Sequence, residues 1–446
     1  MKARSKHQRP HSPRAGVILT SLAMLVAMPA QSTDLLETYA LARSADPTLQ
    51  QAASEQTAAQ ESIGVALGPL LPQLAAGVQL KRVQRDMADL GKPGRSSSRE
   101  PVLTLSQTLL DGRQYATLRS SRAQAASQES AYQAEVQALP VRVASAYFNV
   151  LLATEMLGYA QANEDAFGEQ VRNADGRYRS GLSAQVEVVQ ARAYHTSAKS
   201  NTINARTTLD AARESLSRIT GAPTGELKML RDEAPAVPPQ PASAEAWVAM
   251  ALQHNPVLRS LRDKLEAAEH DIGGARAGHL PTLSASVSLG RHSTWPDDTS
   301  GNDGRRATAV GLALNFPLFA GGAVQAEVKR KTALREAARQ SLEFGRRQVV
   351  ADVRNAYSSV QAGVQQIAEA RQAVEAASGA LASTRVGKQS GTQSMTDVLL
   401  AIQLLTGQKI AYAQARHKLV LDILQLKQDA GQVGEADLAE INTQLR

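Results

Sequence analysis

Between residues 74 and 81 apolar and small or polar side chains alternate, with Leu74, Ala76, Val78 and Leu80 set against Ala75, Gly77, Gln79 and Lys81. The same pattern returns at Leu103 and Leu105 against Val102, Thr104 and Ser106. It returns again at Leu283, Ala285, Val287 and Leu289 against serines and Gly290, and at Val310, Leu312, Leu314 and Phe316 against Gly311, Ala313 and Asn315. A period of two is that of a β-strand with one apolar face. Strands are therefore predicted at about 74–82, 101–109, 282–291 and 307–316. Each is about 9–10 residues, the length of a tilted strand crossing an outer membrane. Alternation alone fits a half-buried soluble hairpin packed on helices equally well.

Elsewhere the pattern is helical. Residues 34–68 carry Leu35, Leu36, Tyr39, Leu41 and Leu49 among Ala, Gln and Glu, and end at Gly68-Pro69 and Pro72. Residues 243–278 open with Ser243 as N-cap and Glu245 in the first turn, and end at Gly278 and Pro281. Segments 113–179 and 322–388 are dominated by Ala, Gln, Glu, Arg, Leu and Ser and read as very long helices, the first with a kink at Pro140. Shorter helices, 183–220 and 393–430, follow Gly181 and Gly391.

The order helix, strand, strand, long helix, helix thus occurs twice, and the residues repeat with it. Asp46-Pro47-Thr48-Leu49 returns as Asn255-Pro256-Val257-Leu258, about 209 positions later. Leu71-Pro72-Gln73-Leu74 returns as Leu280-Pro281-Thr282-Leu283, and Leu109-Leu110-Asp111-Gly112 aligns with Leu318-Phe319-Ala320-Gly321. Ala146-Tyr147 matches Ala356-Tyr357, and Ser180-Gly181 matches Ser390-Gly391. This is a duplicated unit of about 200 residues, far longer than the ~20–50 residues of a solenoid repeat. The chain divides into a first repeat at 31–220, a Pro-rich connector at 221–242, a second repeat at 243–430 and a polar tail at 431–446 with a short helix from Glu435.

Lengths then constrain the architecture. A helix of about 67 residues spans roughly 100 Å at ~1.5 Å per residue. In each half the two shorter helices together match that length, so they stack end to end along the long one. The fold class is an α+β membrane protein, a long antiparallel bundle of coiled-coil-like helices capped at one end by strands. The loops 82–100 and 292–306, with Ser96-Ser97-Ser98 and Gly301-Asn302-Asp303-Gly304, read as solvent-facing hairpin loops.

The first thirty residues change how the charge is read. Lys2, Arg4, Lys6, Arg9 and Arg14 precede an apolar run from Val17 to Ala27 and a small-residue site at Met28-Pro29-Ala30 or Ala30-Gln31-Ser32, the pattern of a secretory signal peptide. With those five cations set aside, the formal net charge of +7 falls to +2. Neither that balance nor any basic patch interleaved with aromatics supports a nucleic-acid partner. There is no cysteine, hence no disulfide and no lipid-modified Cys. No run beyond residue 30 reaches about 18 consecutive apolar residues. An exported chain of this kind enters a membrane as strands of a closed barrel.

Catalytic and cofactor chemistry finds no foothold in the sequence. His195, His254, His270, His279, His292 and His417 are scattered without metal-site spacing. Gly387-Lys388-Gln389-Ser390 looks like the end of a P-loop, but Ala382 stands where its first Gly is required, so it reads as the turn between two helices. Glu266, Glu269 and Asp271 read as a solvated helix face, and Gly321-Gly322 as a strand-to-helix turn needing relaxed φ and ψ.

Several runs carry a resemblance. They are Leu70-Leu71-Pro72-Gln73-Leu74 with His279-Leu280-Pro281-Thr282-Leu283, Ala146-Tyr147-Phe148-Asn149-Val150-Leu151, and Arg218-Ile219-Thr220-Gly221. Phe316-Pro317-Leu318-Phe319-Ala320-Gly321-Gly322, Thr396-Asp397-Val398-Leu399 and the tail from Glu435-Ala436-Asp437-Leu438 complete the set. Together they resemble the TolC-type outer-membrane factor family, the exit ducts of bacterial efflux pumps and type I secretion systems, over the whole chain after the leader.

The resemblance implies a homotrimer with a twelve-stranded barrel and a periplasmic α-helical tunnel. It implies three partners: outer-membrane lipid, a periplasmic adaptor, and an inner-membrane ABC or proton-driven pump. Four strands cannot close a barrel and eight leave an interior filled by side chains, so a conducting duct needs at least three copies. The resemblance puts the adaptor contacts at Ser180, Gly181 and Leu182 and at Ser390, Gly391 and Thr392. It matches Glu187 and Asp397 to acidic positions of a closed gate. Lys388 stands where the family has a tyrosine, Gln393 where it has an arginine, and Leu400 at its second acidic position. Glu187 with Lys388 offers an ion pair there. The strand phase turns Leu74, Val78, Leu80, Leu103, Leu105, Leu283, Val287, Leu289, Leu312 and Leu314 toward lipid. The alternatives are a periplasmic adaptor, which would need lipoyl-like domains flanking one hairpin, and a coiled-coil scaffold, which leaves the strand pairs without a role.

Overall fold

The computed structural model describes residues 33–87, 92–231, 239–295 and 306–446. The expected signal peptide lies outside the described residues, as do parts of the two hairpin loops and of the connector. The first half comprises α1 (Leu35–Ala45), α2 (Pro47–Leu67), β1 (Gln73–Met87), β2 (Lys92–Leu110), α3 (Gly112–Arg179) and α4 (Gln185–Thr220). The second comprises α5 (Ala244–His254), α6 (Pro256–Arg276), β3 (Thr282–Arg291), β4 (Ser293–Trp295), β5 (Arg306–Asn315), α7 (Ala323–Gln389) and α8 (Met395–Asp429), and α9 (Glu435–Asn442) closes the chain.

The single helices expected at 34–68 and 243–278 are each two helices. The break falls at Asp46-Pro47 and Asn255-Pro256. Each proline occupies the first helical position, where its missing N–H costs nothing. The residue before it turns extended and caps the new helix. Asp46 Oδ1 accepts from the Thr48 amide at 2.7 Å, and Asn255 Oδ1 accepts from the Val257 amide at 2.9 Å. The recurring Asx-Pro motif is therefore a helix-restart signal.

The consequence is geometric. α2 and α4 both lie along α3, and α6 and α8 along α7, while α1 and α5 leave the stack as a second layer. The stacked ends abut. A Cβ on Gly221 would come within 3.1 Å of Ala45 Cβ, and Asn255 Nδ2 donates to the Asp429 carbonyl at 3.0 Å. The expected matching of lengths holds in its main part, but without the eleven residues of α1 and of α5.

Two cores fasten the second layer. Leu35, Tyr39, Leu139, Val143, Tyr147, Phe148, Leu424, Leu438 and Ile441 join α1, α3, α8 and α9. Trp247 and Val248 of α5 pack against Val349, Val353, Tyr357 and Val360 of α7. The repeated Ala-Tyr pair belongs here. Tyr147 is fully buried and its hydroxyl donates to the Lys228 carbonyl at 2.9 Å; burial pushes that hydroxyl well above the ordinary phenol range. The tail is less polar in role than its composition suggests, because Leu438, Ile441 and Leu445 are buried and Arg446 and Met229 exchange backbone hydrogen bonds. Among the described residues one helix, α3, has a stretch apolar enough on average to cross a bilayer, although no uninterrupted run does so. Of that stretch 56% is buried inside the protein, so it is the core of the bundle. The helix continues through Pro140, which is itself buried.

The strands form one antiparallel sheet in the order β1-β2-β3-β5, with β4 added beside β2. β1 and β2 are longer than expected, because backbone pairing continues past the alternating region from Leu80↔Arg99 to Met87↔Lys92.

Candidate functional site

The two long hairpins turn in the same way. At the end of α3, Gly181 takes φ +73°, and the Leu182 amide donates back to the Arg177 carbonyl at 2.8 Å. At the end of α7, Gly391 takes φ +80°, and the Thr392 amide donates to the Gly387 carbonyl at 2.9 Å. This six-to-one bond around a left-handed residue is the Schellman motif, for which glycine is the low-cost choice. The hydroxyls of Ser180 and Ser390 donate to carbonyls one turn back, those of Gly176 and Val386. Leu182 stands 68% exposed at the tip.

The turns place charged groups together. Glu187, in the first turn of α4, receives Lys388 Nζ from the last turn of α7 at 3.2 Å, with both side chains half-buried. The family resemblance, through the positions matched to a closed gate, anticipated this pair. Three further contacts join the hairpins at 3.0–3.2 Å: Thr396 Oγ1 donates to Gln190 Oε1, Thr406 Oγ1 to Asn163 Oδ1, and His417 Nε2 meets Glu155 Oε1. These were missed, since each joins residues more than 200 positions apart and no local motif marks them. Phe167, Val188, Leu381, Val398, Leu399 and Ile402 pack the space between the hairpins.

The other expected gate residues are placed differently. Asp397 belongs to the capping box of α8: its Oδ2 accepts from the Ser394 amide at 2.7 Å and the Ser394 hydroxyl at 2.6 Å. Those bonds, chiefly the hydroxyl's, hold its carboxyl below the usual range, with the Lys388 charge adding a little. Gln393 folds over Gly387, where a Cβ would come within 2.5 Å of Gln393 Cγ. Leu400 is half exposed.

At the other end, register decides which side chains share a face. Leu74 pairs with Leu105, Leu105 with Val287, Leu103 with Leu289, Leu283 with Leu314 and Ala285 with Leu312. Directly paired residues lie on the same side of a sheet. Val78 and Leu80 follow from Leu74 by the period of two, so all ten candidate residues occupy one face. Ser284, Ser286, Ser288, Thr104, Gly77 and Gly311 occupy the other. Nine of the ten are exposed, Leu312 at 73%, and Leu283 is half-buried. Among the described residues, the outer strands β1 and β5 leave both edges of the sheet unpaired.

Of the remaining sequence candidates, Asp271 pairs with Lys331 of α7 at 2.6 Å, and Gly321 and Gly322 take φ +61° and +81° at the turn into α7. Among the described residues no cluster of His, Asp and Glu has metal-site geometry.

Residues 38–222 and 247–432 match the Outer membrane efflux protein family, one copy per half. Outer membrane protein TolC of Escherichia coli (strain K12) is 33% identical over 430 residues, covering 93% of this chain and 85% of the relative. Alkaline protease secretion protein AprF of Pseudomonas aeruginosa is 28% identical over 423 residues, covering 93% and 88%. Among solved structures, the outer-membrane channel OprN superposes with a TM-score of 0.78 at 21% identity over 90% of both chains, and the Campylobacter jejuni CmeC outer membrane channel with 0.77 at 18% over 98% of both. These last two speak for the fold alone. With long helical hairpins, a small antiparallel sheet and both halves matched, the chain belongs to the outer membrane efflux protein family.

Proposed function

We propose that three copies of this chain close a twelve-stranded barrel in the outer membrane and continue as a helical tunnel into the periplasm, forming a passive exit duct without catalysis or cofactor. The family is one of outer-membrane channels that serve efflux and type I secretion. The observation that carries the trimer is the sheet. The four main strands, with two open edges and one continuous apolar face, cannot close on themselves, and unpaired edges in lipid are not tolerated. Twelve strands leave a bore, whereas eight fill it with side chains.

In this reading the ten apolar strand residues face lipid. The tips at Ser180, Gly181, Leu182, Ser390, Gly391 and Thr392 meet a periplasmic adaptor, and an inner-membrane ABC or proton-driven pump supplies cargo. The pair Glu187–Lys388, with Gln393 and Asp397 beside it, forms the constriction. A relative named for protease secretion supports a protein cargo, and the family's name supports small-molecule efflux. The pump decides between them. Neither a soluble adaptor nor a coiled-coil scaffold fits membership of this family.

The test is fractionation. Outer-membrane preparations run unheated on a denaturing gel should give a band of trimer mobility that collapses to the monomer on heating. A protein recovered only from the soluble periplasm, or as a monomer without heating, would overturn the reading.

A further inference from the structure

Near the junction of α8 with α6, a cavity of about 690 Å³ opens between α6 and α7. That volume falls within the roughly 300–1,000 Å³ of small-molecule sites. Its position follows from α7. Asp352 lines it, and Arg354, two residues on and so about 200° round the helix, reaches the other way to Glu245 of α5 at 2.9 Å. The cavity therefore opens on the face of α7 turned from Arg354, with the end of α5 at Asn255 and the α5-packed Val349 at its edge; in the duct reading that face is assigned to the bore.

Leu261 and Val349 give it an apolar floor, and Phe344, 70% exposed, stands beside them. The polar lining is one-sided. No Lys, Arg or His takes part, while Asp352 and Asp429 both do. Each carboxylate accepts one hydrogen bond, from Gln348 Nε2 and Gln425 Nε2 respectively, both at 2.8 Å. A third acceptor is left over. Gln137 donates through Nε2 to the Gly431 carbonyl at 3.2 Å, which fixes the orientation of its amide, and its Oε1 is buried without a donor. Burial, with Asp352 as the charged neighbour, pushes the Asp429 carboxyl up to about 6, a cost that a cation placed between the two would relieve.

We propose that this cavity binds an organic cation bearing N–H donors on an apolar body, its nitrogen held by Asp352, Asp429 and Gln137 Oε1 and its body laid against Phe344. An aromatic ring presents its negative face to a cation, and two carboxylates with a spare amide oxygen call for donors and positive charge. The location on the bore rests on the duct reading; the binding chemistry does not.

Ethidium, a planar cation with two amino groups whose fluorescence rises on burial, is the probe. Titrated into the purified full-length protein in detergent, it should bind saturably. The double substitution Asp352→Asn/Asp429→Asn, which preserves shape, should weaken binding at least tenfold. Ser341→Trp, which fills the cavity from its exposed rim, should abolish binding while leaving secondary structure and thermal midpoint unchanged. Absence of saturable binding to the native protein, or equal affinity in the double variant, would overturn the site. Native protein that binds ethidium but opens no pore in a bilayer would retain the site and remove the duct.

Discussion

Lys388 Nζ lies 3.2 Å from Glu187 Oε2, and this contact ties the end of one long hairpin to the start of the other hairpin's return helix. Partly exposed, such a pair contributes about 0–1 kcal/mol per copy. In the proposed trimeric duct three copies stand around one opening and act together, so removing the pair should loosen the constriction while leaving the fold intact. Glu187→Ala and Lys388→Ala should each raise single-channel conductance in planar bilayers, and the exchange Glu187→Lys/Lys388→Glu should return it toward the native value. Unchanged conductance in both single variants would remove the pair from the gate.

Asp397 caps α8, and in the proposed duct its charge lines the constriction, so the two can be separated. Asp397→Asn retains an acceptor for Ser394 but removes the charge, and it should reduce cation over anion selectivity in reversal-potential measurements, as Asp397→Ala should also. Ser394→Ala keeps the charge and loses the cap. It should cost about 1 kcal/mol locally, seen as faster amide exchange in the first turn of α8 with selectivity unchanged.

The sheet's two faces differ in what they tolerate. Val287 and Ser286 are adjacent on β3 and point to opposite sides. Val287→Arg should cost about 2–4 kcal/mol near the bilayer midplane and lower the yield of assembled trimer, while Ser286→Arg should not. Equal impairment would mean that the strand phase is inverted.

Two carboxyls, Asp46 buried and Asp429 half-buried, respond to pH in opposite senses. Burial raises the Asp46 carboxyl, but bonds from Arg142, at 2.7 and 2.9 Å, and from the Thr48 amide outweigh it and hold it below 3.8. Its contribution is present above about pH 4 and is lost as pH falls through the lower folded value. Asp429 is shifted the other way, to about 6, so its ionisation destabilises the fold increasingly from its ordinary value near 3.8 up to about 6, and fully above that. Asp429→Asn should therefore raise the thermal midpoint at pH 7.5 and have little effect at pH 4, whereas Asp46→Ala should lower it at pH 7.5 and matter less below pH 3. Thermal scans of the three proteins at those pH values would check both signs.

Some of this was legible in the sequence, and the physics of each element explains why. The strand phase was readable because a period of two survives in the alternating stretches of β1, β2, β3 and β5, and register then placed Leu74, Leu105 and Val287 on one face. The polar continuation from Lys81 to Met87 was not, since it is held by backbone bonds that leave no side-chain pattern. Asp46-Pro47 and Asn255-Pro256 were visible as a repeat, but the flanking residues are helix formers on both sides and hide the restart. Glu187 and Lys388 could be paired through the family resemblance, which matches both to gate positions near two equivalent glycine turns. His417 and Glu155, buried partners 262 residues apart, carry no such landmark.

Whether copies of this chain enclose a conducting bore is decided by single-channel recording of the purified native protein in a planar bilayer. An enclosed bore should give discrete, long-lived conductance steps that favour cations and grow when Lys388 is replaced by Ala. Bilayers that stay silent on addition of correctly folded, trimeric protein would contradict it.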